Sequence, residues 1–147
     1  MIIQEPFTAK RAAAATKTTE RMLGHWNRTD FLIPSLARAK NQGYEQGYSW
    51  NDLLIIAAVK RLRDNGISLQ ALRKVSAQLK ASDDASFRDV FLTCDGKRDI
   101  VLRSGEELIS MLQKPGQIVF AWILSMEEVE TEVREAVIKM GKAAKAA

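Results

Sequence analysis

Residues 18–26 constrain this chain more than any other segment. Thr18-Thr19-Glu20-Arg21 is a helix start, and Leu23 and Trp26 follow it three residues apart. Threonine caps a helix because its hydroxyl accepts a hydrogen bond from an N–H that the first turn leaves unpaired. Glu20 adds a negative charge where the helix dipole favours one. Side chains three apart share a face, so Leu23 and Trp26 turn inward while Arg21, His25 and Arg28 are left to the other sides. Just upstream, Thr8 caps a short alanine-rich helix predicted through Ala15, and its alanines allow close helix-helix approach. Thr16-Lys17 makes the turn between the two helices.

Downstream, Pro34 disfavours helical geometry at Ile33, so residues 31–34 read as an extended exit. A loop follows with Arg38, Lys40, Asn41 and Gln42, then Gly43-Tyr44-Glu45-Gln46-Gly47-Tyr48, a natural hairpin tip in which glycine allows the turn and tyrosine can fix the base. Ser49 and Asp52 approximate a capping box opening a helix with Leu53, Ile56 and Ala57 on its apolar stripe. Asn65-Gly66 ends that helix. Ser68 caps another, with Leu69, Leu72, Val75 and Leu79 spaced for one apolar face. In this order the elements outline a helix-turn-helix, a wing and a supporting helix, an architecture that holds DNA.

The small polar linker at residues 81–86 marks the best domain boundary. Beyond it, two apolar runs, 90–94 and 100–102, flank Asp95-Gly96, a hairpin signal. Ser104-Gly105-Glu106-Glu107 opens a short helix to Leu112, and Pro115-Gly116 closes it. Residues 117–124 are apolar on both faces and read as a central strand. A last helix begins near Ser125, with Met126, Val129, Val133, Val137 and Met140 recurring at helical steps. The expected fold class is α+β, with a winged helix-turn-helix over residues 1–80, a small β-β-α-β-α domain over 87–140 and a flexible tail over 141–147.

Charge divides the same way. Residues 1–80 carry 13 Lys and Arg against 6 Asp and Glu, whereas residues 81–147 carry 9 against 12. A net +7 suits a polyanion, and a net −3 suits a protein contact or none. Cys94 is the single cysteine, which excludes an intrachain disulfide and a cysteine-based zinc cluster. The lone His25 offers neither a metal cluster nor a convincing nucleophile-base pair, and no phosphate-binding glycine loop ends in Lys-Ser or Lys-Thr. No enzyme activity, cofactor or metal is therefore expected. The N-terminus lacks a signal-peptide pattern and no apolar run reaches the roughly 20 residues that cross a bilayer, so the expected location is the cytoplasm.

Three segments carry a family likeness: Thr19-Glu20-Arg21-Met22-Leu23-Gly24-His25-Trp26; Gly43-Tyr44-Glu45-Gln46-Gly47-Tyr48-Ser49-Trp50-Asn51-Asp52-Leu53; and Arg61-Leu62-Arg63-Asp64-Asn65-Gly66-Ile67-Ser68-Leu69. Together they resemble the winged helix-turn-helix of the MerR-type regulators, most specifically at Tyr-Ser-x-x-Asp-Leu and Gly-x-Ser-Leu. With the hairpin-bearing half included, the chain looks like the MerR-like antitoxins of bacterial toxin-antitoxin pairs. The resemblance implies a dimer on double-stranded DNA, with the second helix in the major groove and the wing along the backbone. This chain departs from the pattern at Gly24 and Glu45, where the family carries arginines, and it lacks the long dimerising helix and cysteine-bearing loop of the metal-sensing members.

The DNA-binding candidates are Lys17, Thr18, Thr19, Arg21, His25, Arg28, Arg38, Lys40 and Tyr44; Arg21 and His25 could instead be ordinary surface side chains, and Arg38, Lys40 and Tyr44 an ordinary mobile loop. Trp26, Trp50 and Trp122 are expected in the core. Dimer or partner contacts are expected at Val129, Val133 and Val137, or at an edge strand near Val90 to Thr93; the alternative is that the last helix covers the protein's own sheet. The expected function is a dimeric, sequence-specific transcriptional repressor. The alternatives are an antitoxin that neutralises a toxin partner and autoregulates its operon, or an interaction module without DNA binding.

Overall fold

The computed structural model describes residues 5–37, 46–82, 87–94, 100–113 and 122–146. Four helices make up the first half: α1 (Ala9–Thr16), α2 (Glu20–Arg28), α3 (Trp50–Asp64) and α4 (Leu69–Lys80). Between α2 and α3, β1 (Leu36–Ala37) and β2 (Gln46–Gly47) pair antiparallel as the base of a hairpin. The second half follows as β3 (Phe91–Cys94), β4 (Ile100–Arg103), α5 (Gly105–Gln113), β5 (Trp122–Ser125) and α6 (Met126–Ala146).

The helix starts are held by the hydroxyls that the sequence singles out. Thr8, Thr19, Ser49 and Ser68 each accept from a backbone N–H in the first turn of α1, α2, α3 and α4. At α3 the box is reciprocal, because Asp52 also accepts from the Ser49 N–H. Lys17, φ 59°, takes the left-handed conformation at the end of α1 and returns its N–H to the Ala13 carbonyl, which turns the chain sharply enough for α2 to begin at Glu20. Leu72, Val75 and Leu79 of α4 are buried as expected, but Leu69 is 54% exposed, since the first helical position lies ahead of the turn that meets the core.

The second half departs from expectation in strand order. The sheet runs β4-β3-β5, antiparallel throughout, so β3 is central and β5 is an edge. The β3–β4 hairpin fills one side of β3, leaving the other side to β5. A dimer contact through β3 as a free edge is therefore ruled out. Ile123 is 47% exposed and Trp122 half-buried, as edge positions allow, and Trp50 is also half-buried, whereas Trp26 is in the core. Residues 117–121 of the expected strand lie outside the described residues.

Both halves share one core. Phe7, Leu23, Trp26, Leu53, Ile56 and Val75 from the first half join Phe87, Leu92, Leu124, Met126, Val129 and Val133 from the second in a single cluster. Helix α6 packs chiefly on α1 and α3, with only a small contact to β5. The alternative role expected for this helix, cover for the sheet, thus gives way to cover for the N-terminal helices. Val129 and Val133 are each 2% exposed, and Val137 packs against the same cluster. The apolar contact expected for a second chain is thus filled by α1 and α3 of the same chain. Helix α6 also continues to Ala146, through most of the tail expected to fray.

Candidate nucleic-acid interface

Helix α2 divides its sides sharply. Leu23 and Trp26 are buried, Trp26 meeting Phe31 edge-on with ring centroids 5.7 Å apart, while Arg21, His25 and Arg28 are exposed. Arg21, Gly24, His25 and Arg28 stand at i, i+3, i+4 and i+7, so they line one exposed face. None of the three basic side chains, nor Lys17, is ion-paired with a described residue. At Gly24 a Cβ would lie 3.1 Å from Arg28 Nη1. The Arg28 guanidinium is therefore drawn back along the helix over Gly24.

The turn brings Lys17, Thr18 and Thr19 to the start of this face. Lys17 and Thr19 are exposed and Thr18 is half-buried. Thr18 Oγ1 lies 2.8 Å from Thr16 Oγ1. Thr19 Oγ1 accepts from the Met22 N–H at 3.0 Å, which leaves its own proton free to be donated. The first-turn N–H groups of α2 and the Thr19 hydroxyl suit a phosphate oxygen, and exposed arginines suit either a phosphate or a guanine edge. Glu20, exposed in the same turn, opposes an anion there.

What holds α2 in place was mostly invisible in the sequence. Arg73 on α4 donates from Nη2 to the Thr29 carbonyl at 3.3 Å and stands over the Phe31 ring at 5.3 Å. It thereby ties the C-terminal end of α2 to α4 across 44 positions of chain.

The base of the hairpin is built around Asp52, a buried carboxylate. Its Oδ2 accepts from Ser35 N at 2.9 Å, Ser35 Oγ at 2.7 Å and Ser49 N at 2.9 Å, joining the segment just before β1 with the start of α3. Phe7 and Tyr48 exchange backbone hydrogen bonds at 2.8 and 2.9 Å. Gly47 is required beside them, because a Cβ there would lie 2.1 Å from Pro6 Cβ. Glu5 Oε1 accepts from the Trp50 N–H at 2.6 Å, a second cap on α3. The Tyr48 hydroxyl is pushed above its ordinary pKa, first by burial and then by the nearby Asp52 charge. Arg38, Lys40 and Tyr44, expected on the wing, lie outside the described residues.

Among the described residues, no group of three or more His, Cys, Asp or Glu could hold a metal ion, and no helix is long and apolar enough to cross a membrane. The arrangement instead offers an exposed basic helix face beside a hairpin base.

Comparison with known proteins points the same way. Residues 7–79 match the family described as MerR HTH family regulatory protein. A Mycobacterium tuberculosis protein described as an uncharacterized HTH-type transcriptional regulator is 36% identical over 107 residues, 73% of this chain and 47% of that protein. A Mycobacterium bovis protein of the same description matches with the same identity and coverage. The chain spans about half the length of the curated relatives it matches.

Proposed function

Since residues 7–79 are a MerR-family helix-turn-helix domain and the chain is homologous to HTH-type transcriptional regulators, we propose that it binds duplex DNA and regulates transcription, without catalysing a reaction. The observation that carries this reading is the exposed face of α2, where Arg21, His25 and Arg28 are available to an external ligand. In this reading α2 enters the major groove, Arg21 contacts a base or phosphate, and Lys17, Thr18, Thr19 and Arg28 fix the helix against the backbone. Arg38, Lys40 and Tyr44 belong to the proposed wing contact. The protein acts as a two-fold dimer on paired half-sites and represses.

Mobility-shift titration on duplex DNA at several salt concentrations tests this. Log K is expected to fall, for each tenfold rise in salt, by about 0.9 per phosphate neutralised. Absence of salt-sensitive binding would contradict it. An antitoxin role draws support from the resemblance of the hairpin-bearing half and from the net −3 of residues 81–147. Co-expression with the adjacent gene tests that role, and a neighbour that neither co-purifies nor loses toxicity removes it.

A further inference from the structure

We propose that the cleft between the base of the hairpin and the end of α4, with Tyr48 and Asp52 at its inner end, binds a small hydroxylated aromatic acid. The cleft measures about 430 Å³, a size usual for small-molecule sites, and is walled by Ile33, Pro34, Ile55, Leu79 and Phe87. It continues into a recess of about 10 Å³, which shares Ile33, Asp52, Ile55 and Lys80 with it and adds Tyr48. The recess has room for about one water-sized group. The site shares no residue with the exposed face of α2, so it stands apart from the DNA-binding reading.

Two buried polar groups meet at the recess, and the fold uses neither completely. Tyr48 is 3% exposed and Asp52 8%. The Tyr48 hydroxyl hydrogen-bonds to no described residue, yet no sealed side-chain oxygen among the described residues lacks a partner, so this hydroxyl opens on the recess. Asp52 receives its three donors on Oδ2, and no described residue donates to its Oδ1. Burial and then the Asp52 charge push the Tyr48 pKa up, so the hydroxyl stays protonated and able to donate.

These groups select the occupant. Tyr48 offers a donor and Asp52 an acceptor, and a single hydroxyl, which both accepts and donates, satisfies the two together. A carboxylate in the recess would meet the Asp52 charge. An ammonium would stand beside Lys80, which lines the same recess, among the aliphatic side chains of Leu32, Ile33, Ile55 and Ile56. Lys80 is exposed and ion-paired with no described residue, so its ammonium is free to hold an anionic group of the same ligand. A ring suits the apolar walls and keeps the two polar ends apart, so that the hydroxyl reaches Asp52 without bringing the carboxylate to it. A phenol that carries a carboxylate has these three parts.

Isothermal titration calorimetry of the full chain tests the inference with para-hydroxybenzoate, para-hydroxyphenylacetate and para-coumarate, which set the carboxylate at increasing distances from the hydroxyl. At least one of them should saturate a single site with a Kd below about 1 mM. The same acid without its hydroxyl, and tyramine, which carries an ammonium in place of the carboxylate, should each bind at least about tenfold more weakly. Tyr48→Phe keeps the ring and removes no hydrogen bond between described residues, so its unfolding midpoint should hold while its preference for the hydroxylated acid over the hydroxyl-free one shrinks to within about threefold. Where that variant fails to fold, the comparison of the two acids on the wild-type chain still decides. No saturable binding by any of the three acids below that concentration, equal binding of the hydroxyl-free acid or of tyramine, or an unchanged preference in folded Tyr48→Phe overturns the inference.

Discussion

Helices α2 and α6 are both amphipathic and both rich in charge, yet they spend that charge differently. On α6, Arg134 pairs with Glu130 and stands 6.0 Å over the Trp50 ring, and Glu132 pairs with Arg61 of α3. Its apolar residues Val129 and Val133 are buried against the N-terminal helices. On α2 the cations Arg21 and Arg28, with the His25 ring between them, have no ion-pair partner among the described residues, and the opposite face is buried. A helix that buries its apolar face and ties Glu130, Glu132 and Arg134 into ion pairs is a structural member, although Glu127, Glu128, Glu135 and Lys139 of α6 face solvent. One that leaves two arginines unpaired on one solvent-facing side is set to bind an anion.

The sharpest way to break this contrast is Val133→Glu. If α6 is structural, an unpaired charge placed in the shared core costs at least about 3 kcal/mol. The whole chain then unfolds at lower denaturant in one transition, and an unchanged midpoint by circular dichroism would show that α6 is dispensable. Next in size is Asp52→Ala, which removes the acceptor for Ser35 and Ser49 and should cost about 2 kcal/mol. Tyr48 adds a pH signature at the same place. Its folded pKa lies above the ordinary 10.0, so the stability it contributes is complete below that value and is lost as pH rises through the raised one. The unfolding midpoint should therefore fall on the alkaline side of pH 10, and a flat profile there would contradict the burial of that hydroxyl.

Arg21→Ala should leave stability within about 0.5 kcal/mol while weakening specific DNA binding by about 1–3 kcal/mol. Smallest of all is Glu132→Ala. Its ion pair with Arg61 is half exposed, so the loss should be under about 1 kcal/mol in stability with DNA affinity unchanged or slightly raised. Paired urea titrations and mobility shifts separate these two substitutions, and the contrast fails if each shows the other's pattern.

What the sequence showed and hid follows from the range of the interactions. Thr19 capping α2, the burial of Leu23 and Trp26, the Ser49–Asp52 box and the β3–β4 hairpin depend on neighbours a few residues away, and periodicity exposes them. The edge position of β5 depends on which side of β3 was still open. The destination of α6 depends on α1 and α3, more than 60 positions earlier, whose apolar faces match it no better on paper than the sheet does. Arg73 reaching the Thr29 carbonyl and Glu5 reaching the Trp50 N–H span 44 and 45 positions and leave no local pattern. Among the site residues, the sequence identified the cations of α2 from their helical phase. It could not show that Gly24 leaves room for Arg28 to lie back along that face.

If the exposed face of α2 recognises duplex DNA, selection from a randomised duplex pool will reveal it. The wild-type chain and Arg21→Ala are each incubated with the pool at moderate salt, and the bound duplexes are sequenced. The wild type should enrich a defined motif with two related half-sites, and Arg21→Ala should lose preference within each half-site while retaining weak, salt-sensitive binding. The same motif enriched equally by both proteins, or none enriched by the wild type, would contradict recognition by α2.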